Sequence, residues 1–148
     1  IQTFRQQYPH LEIPNRIFWS SQPLPQNELN SLVAYCHGNF ALYYNSGPHI
    51  EYVGFSSGKL MRSLACGSPV IASKLLSFAF VSEHNLGVLV NDATVIPDAV
   101  KQLMVSREDY RKRCLDFCET HASFETYWPK FCEKFMEVTQ IDIQNPVL

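Results

Sequence analysis

Residues 54–59, Gly-Phe-Ser-Ser-Gly-Lys, are mostly small residues with one lysine, and their pattern indicates a loop that leads into a short helix. Ser57 suits the N-cap of that helix, because its hydroxyl can accept a hydrogen bond from a free backbone N–H of the first turn. Gly58 and Lys59 then fall in the first turn, where free amides and the helix dipole suit an anion, most often a phosphate. Lys59 strengthens this prediction, since a cation at a helix start otherwise opposes the dipole. The stretch is not a P-loop, because Leu60 replaces the Mg²⁺-binding hydroxyl and the spacing is one residue short.

Arg62 lies one turn after Lys59 on the same predicted helix face. It can reinforce a diphosphate contact or pair with Glu51, and the sequence leaves both alternatives open. Glu51 belongs to residues 45–56, a loop rich in Gly, Pro, Asn and Ser. Its carboxylate can accept hydrogen bonds from ligand hydroxyls, which an arginine cannot do.

The cysteine pattern raises the question of a metal site. Cys114, Cys118 and His121 have helical spacing, so a zinc site is one interpretation. An apolar helix face with small buried thiols explains the same spacing, and we favour it. We therefore expect reduced thiols and no structural metal. The five cysteines are Cys36, Cys66, Cys114, Cys118 and Cys132.

The elements that must position these residues alternate between strand and helix patterns, which predicts a parallel α/β sheet with helices on both faces. Ligands in such folds bind at the carboxyl edge of the strands, where residues 45–59 would lie. The predicted strands are residues 16–20, 40–44, 70–72 and 87–90. The predicted helices begin at 24, 58, 77, 97 and 106, and Gly67 is placed as a left-handed helix stop. A last helix carries Phe124, Trp128, Phe131, Phe135 and Val138 on one face.

Two details of the later helices are also predicted. Residues 106–109 resemble a capping box, with Ser106 as the cap. Pro129 fits the last helix only if that helix begins near Thr126.

Composition limits the function classes. With 148 residues the chain is one domain, and 46% hydrophobic residues are enough for a core. The formal net charge of −2 argues against nucleic-acid binding. No segment resembles a membrane span or signal peptide, and the odd cysteine count fits a cytoplasmic protein. A chain that begins with Ile1 predicts a fragment of a larger protein.

Residues 57–73 resemble the donor-side segment of GT-B glycosyltransferases, which have two Rossmann-like domains and use nucleotide-activated sugars. Many members carry a stretch like S-x-K-L-x-E-Y-L-A-C-G-x-P-V-I-A-S, which this segment follows closely. Weaker similarity covers roughly residues 16–138. Arg62 departs from the pattern, because the family has a glutamate there that typically binds the ribose hydroxyls of the donor.

The resemblance implies that residues 1–148 form a single, incomplete Rossmann-like donor-binding domain. Its implied partners are a nucleotide-sugar and a missing N-terminal GT-B domain, with peripheral membrane contact through the parent protein also allowed. It implies no cofactor and no metal, and it identifies no catalytic residue. Ser20 enters because it ends a predicted strand at the same sheet edge. The predicted donor-binding residues are Ser20, Glu51, Ser56, Ser57, Gly58, Lys59 and Arg62.

Two alternatives to a glycosyltransferase remain. The first is a non-catalytic GT-B-like binding or assembly module in which Arg62 has removed donor binding. The second is a sugar-nucleotide epimerase of the same fold, although the acid and base that it needs are not identified. The sequence does not specify the sugar, the nucleotide base or the acceptor.

Overall fold

Three parallel strands form the centre of the fold. The computed structural model describes residues 6–9, 16–18, 20, 22–44, 47–141 and 143. The strands are β1 (Asn39–Ala41), β2 (Val70–Ser73) and β3 (Gly87–Val90), in the order β1-β2-β3. The register pairs Phe40 with Ile71 and Ile71 with Val88. Side chains at these three paired positions therefore share one face of the sheet.

Helices account for most of the remaining described residues. The α-helices are α1 (Gln26–Tyr35), α2 (Pro48–Glu51), α3 (Gly58–Ala65), α4 (Ala79–Glu83), α5 (Ile96–Val105), α6 (Arg107–Phe117) and α7 (Phe124–Thr139). Short 3₁₀ turns cover Gly54–Ser56, Leu76–Phe78 and Ala93–Val95, and a π-helical turn covers Cys118–Ala122. No helix in the described ranges is long and apolar enough to cross a bilayer.

The two faces of β2 bury different side chains. On one face, Val70 and Ala72 pack with residues of α3, α4 and α6. On the other, Ile71 packs with Ala99 and Leu103 of α5. The near-continuous apolar sequence of this strand fits burial on both sides. The predicted α/β class, with a parallel sheet between helices, is therefore confirmed.

Two glycines allow the chain to turn and pack closely around β2. Gly67 ends the turn after α3 with a φ of +71°, the left-handed conformation predicted for it. Gly87 pairs with Val70, and a Cβ at this glycine would lie 2.0 Å from the Val70 carbonyl oxygen. A side chain at position 87 would thus force β2 and β3 apart.

The strand predictions were partly wrong. Residues 16–18 and 20 form no strand, and Trp19 lies outside the described residues, so the described sheet has three strands rather than about four. The side chain of Phe18 is 83% exposed, which shows that its apolar character does not bury it here. The strand predicted at 40–44 ends at Ala41. Beyond it, the Tyr43 backbone hydrogen-bonds with the side chain of Ser73, the last residue of β2, instead of with the backbone of that strand.

Two helix-start predictions also require correction. Ser106 makes no side-chain cap, because its backbone adopts φ −127° and ψ 38° between two abutting helices. Helix α7 begins at Phe124 instead of near Thr126, and Pro129 therefore lies inside it. The earlier start is set by Ser123, whose hydroxyl accepts a hydrogen bond from Thr126 N at 3.2 Å.

Candidate phosphate-binding site

The start of α3 presents two free backbone donors. Ser57 is only 1% exposed, and its Oγ accepts a hydrogen bond from Leu60 N at 3.3 Å, so the predicted N-cap is confirmed. The amides of Gly58 and Lys59 donate to no acceptor in the part of the chain that the structure describes. A Cβ added to Gly58 would meet no atom within 4 Å. The space beside the Gly58 Cα is therefore open.

The Lys59 side chain reaches from α3 to the end of β1. Its Nζ donates to the carbonyl oxygen of Leu42 at 3.0 Å and lies 4.0 Å from the centroid of the Tyr43 ring. Leu42 directly follows β1, so the ammonium group lies at the carboxyl edge of the sheet. The structure thus brings a cation and the free amides of α3 to the edge at which parallel α/β folds bind ligands.

Tyr43 joins the sheet edge to the start of α3, and sequence reasoning did not identify it as a site residue. Its hydroxyl lies 2.6 Å from Ser57 Oγ. Its backbone N–H donates to Ser73 Oγ at 2.8 Å, and the Ser73 hydroxyl donates to the Tyr43 carbonyl at 3.1 Å. Its ring meets the buried ring of Phe78 edge-on, with 5.7 Å between centroids. The available sequence signal was its position at the end of a strand, which does not distinguish a core tyrosine from a site tyrosine.

Arg62 and Glu51 contact other parts of the fold. The Arg62 guanidinium donates to Gln26 Oε1 of α1 at 3.3 Å. Glu51 Oε1 accepts a hydrogen bond from Leu76 N at 2.7 Å, which satisfies a free amide at the start of a 3₁₀ turn. Arg62 also lines a surface cavity of about 520 Å³ between α3 and the π-helical turn. In this structure Arg62 therefore contacts α1, whereas Glu51 contacts the 3₁₀ turn that begins at Leu76.

The two remaining predicted residues are also accounted for. Ser56 is exposed at the end of the 3₁₀ turn that leads into Ser57. The Ser20 hydroxyl donates to Gln22 O at 2.7 Å, and Ser20 lies outside the three described strands. The predicted strand end that would have placed Ser20 at the site is thus not found.

The cysteines divide by burial. All five are free thiols, and all lie in the described part of the chain. Burial raises the pKa of the Cys114 thiol to about 12, with a smaller contribution from the nearby Cys118. Burial also raises the pKa of the Cys118 thiol to about 11, and the nearby Cys66 makes a smaller contribution in the same direction. Both thiols are therefore protonated at neutral pH.

His121, the third member of the zinc interpretation, stacks on Phe117 with 5.0 Å between ring centroids. Its Nδ1 lies 2.6 Å from the Thr120 hydroxyl. The described residues contain no group of three or more His, Cys, Asp or Glu side chains arranged to hold a metal ion.

Comparison of the chain with protein-family models, with curated proteins and with solved structures finds no match. The features that indicate a function are the residues at the start of α3 and the sequence pattern of residues 57–73.

Proposed function

We propose that this chain is the donor-binding domain of a GT-B glycosyltransferase and that it binds the diphosphate of a nucleotide-sugar. The observation that carries the proposal is the start of α3, where the amides of Gly58 and Lys59 have no acceptor among the described residues and the Lys59 ammonium reaches the carboxyl edge of the sheet. The resemblance of residues 57–73 to the family's donor segment supports the same assignment. Free thiols and this class of substrate fit a cytoplasmic protein.

The proposed contribution to the reaction is electrostatic. As the sugar leaves the nucleotide, negative charge builds on the departing diphosphate. Amides fixed at a helix start and a nearby ammonium stabilise that charge without reorganising during the reaction. The acceptor site and any general base belong, in this proposal, to a separate N-terminal domain. The chain alone should therefore bind nucleotide without transferring sugar.

Replacing Lys59 tests the proposal directly. Loss of one charge-assisted phosphate contact costs about 1.5–3 kcal/mol. Lys59→Ala should therefore weaken UDP or GDP binding by roughly ten- to a hundredfold. Titration calorimetry on the purified chain measures this change.

Lys101→Ala is the matched control. Lys101 is 76% exposed on α5 and pairs with Asp98 at 2.9 Å, so its removal should leave nucleotide affinity unchanged. Equal effects of the two substitutions would identify Lys59 as an ordinary surface charge and contradict the proposed site.

Arg62 favours a second candidate function, a binding or assembly module without donor binding. The family's glutamate at this position accepts ribose hydroxyls, whereas Arg62 is a pure donor and is engaged with Gln26. If the ribose contact has merely been lost, Arg62→Glu should strengthen nucleotide binding. If Arg62 instead attracts the diphosphate, the substitution should weaken binding by replacing attraction with repulsion.

We expect weakening, because Lys59 and Arg62 are one helical turn apart and a diphosphate carries enough charge for both. Affinity measured at two salt concentrations identifies the cause, since a phosphate contact is sensitive to salt. If neither wild type nor variant binds a nucleoside diphosphate, the glycosyltransferase proposal fails and the module is favoured.

A further inference from the structure

Tyr43, which was not predicted as a site residue, contacts both Lys59 and Ser57 at the candidate phosphate site. Its ring lies beneath the Lys59 ammonium, and its hydroxyl meets the Ser57 hydroxyl that caps α3. Resting on the proposed function, we infer that Tyr43 is a positioning residue that holds Lys59 ready for a diphosphate.

The Tyr43 ring, on which the Lys59 ammonium lies, is held by several contacts. Ser73 binds both the backbone N–H and the carbonyl of Tyr43, at 2.8 and 3.1 Å. Ser57 binds its hydroxyl at 2.6 Å, and the fully buried Phe78 contacts its ring. Because the backbone, the ring and the hydroxyl of Tyr43 are each held by a neighbour, the ring has little freedom to move away from the Lys59 ammonium.

The consequence for Lys59 is preorganisation. A free lysine side chain has many rotamers, and ordering it when a ligand binds reduces affinity. Here the Leu42 carbonyl and the Tyr43 ring attract the ammonium before any ligand arrives, at 3.0 Å from the oxygen and 4.0 Å from the ring centroid. A phosphate at the free amides of Gly58 and Lys59 then meets a cation that is already in place.

The first measurement detects the contact without any ligand. An aromatic ring shifts the NMR signals of protons above its face upfield. The ε-CH₂ protons of Lys59, assigned with Lys59→Ala in a lysine-labelled chain, should be shifted upfield in wild type and Tyr43→Phe but not in Tyr43→Leu. Unshifted protons in the ligand-free wild type would overturn the inference whatever the chain binds.

The second measurement is a double-mutant cycle between Tyr43→Leu and Lys59→Ala, with inorganic pyrophosphate and UDP as probes. Tyr43→Leu should weaken binding about two- to fivefold, the range expected for one exposed cation–π contact. It should cause no further loss in the Lys59→Ala background, because the ring acts through Lys59. Tyr43→Phe keeps the ring and should retain affinity within about twofold.

The outcomes separate the inference from the proposed function. If Tyr43→Leu weakens binding equally with and without Lys59, the tyrosine acts through the fold and the inference is overturned. If wild type shows the upfield shift but binds neither pyrophosphate nor UDP, the proposed function is overturned, and the role of Tyr43 toward a diphosphate falls with it. The inference is supported by the upfield shift together with the non-additive cycle.

Discussion

Burial of the Cys114 thiol links the stability of this protein to alkaline pH. Cys114 is fully buried in α6, and its thiol hydrogen-bonds with the Leu86 carbonyl at 3.7 Å. Burial raises the pKa of this thiol to about 12, against an ordinary value of 9.0. Between these two values the folded state keeps the proton and the unfolded state loses it. The contribution of the protonated Cys114 thiol to the free energy of unfolding is therefore fully present below about pH 9 and is lost as pH rises toward 12.

We predict that the free energy of unfolding falls above about pH 9, by up to about 1.4 kcal/mol per pH unit from Cys114 alone. Cys114→Ala should lower stability at every pH because it leaves a cavity, but its alkaline slope should be shallower. Urea unfolding at about pH 8, 9 and 10 measures that slope. Val81→Ala, which also removes fully buried atoms but no titratable group, should keep the wild-type slope. An unchanged slope in Cys114→Ala would assign the alkaline instability to other groups.

Prediction at the residue scale succeeded where one local rule decides the conformation. Ser57 caps α3 and Gly67 adopts a positive φ because each position depends on its immediate neighbours. The contacts of Tyr43 with Ser73 and of Arg62 with Gln26 depend instead on residues 30 and 36 positions away in the chain. No periodicity or motif encodes such pairs, which is why Tyr43 was missed and the contact between Arg62 and Gln26 was not predicted.

At the scale of elements, the strands show that an apolar run forms a strand where a neighbouring strand pairs with it. The apolar runs at 70–72 and 87–90 became β2 and β3 because each pairs with a strand in register. The apolar run at 16–20 has no strand structure at its described residues. A short apolar run does not reveal whether a pairing partner exists, so sequence alone could not separate these cases.

Helix α7 carries an internal proline, which gives an element-scale prediction. Pro129 is the sixth residue of Phe124–Thr139, has no N–H for the Glu125 carbonyl and crowds that carbonyl with its ring. Pro129→Ala should therefore raise the free energy of unfolding, by up to about 3 kcal/mol. Urea denaturation measures the gain, and Glu133→Ala on the exposed side of the same helix is the control.

The size of that gain also tests where α7 begins. If the helix began near Thr126, as the sequence predicted, Pro129 would lie in the first turn, where proline is tolerated, and alanine would add little. A loss of stability in Pro129→Ala would contradict the interior position that the structure gives this proline. Backbone chemical shifts of residues 124–126 provide an independent check on the helix start.

At the scale of the whole molecule, α7 leaves an aromatic ladder on the surface. Phe124, Trp128, Phe131 and Phe135 stack in series with 5.1, 5.7 and 5.8 Å between ring centroids. In α7, all of which the structure describes, only Cys132 is buried. The amphipathic pattern of this helix was predicted correctly, but periodicity could not show that its apolar face lacks cover from the rest of the described chain.

A contiguous exposed apolar face favours association. We predict that the purified chain self-associates as its concentration rises, with a sedimentation coefficient that increases accordingly.

Trp128→Ser combined with Phe131→Ser should raise the dissociation constant at least about tenfold, because large aromatics dominate contact energies. Both side chains are substantially exposed, at 37% and 53%, so the double variant should keep its fold, as checked by circular dichroism. Val105→Ser, at the end of α5 and 86% exposed, lies outside the ladder and should associate like wild type. A chain that stays monomeric at every concentration, or a control that matches the double variant, would show that the ladder does not drive association.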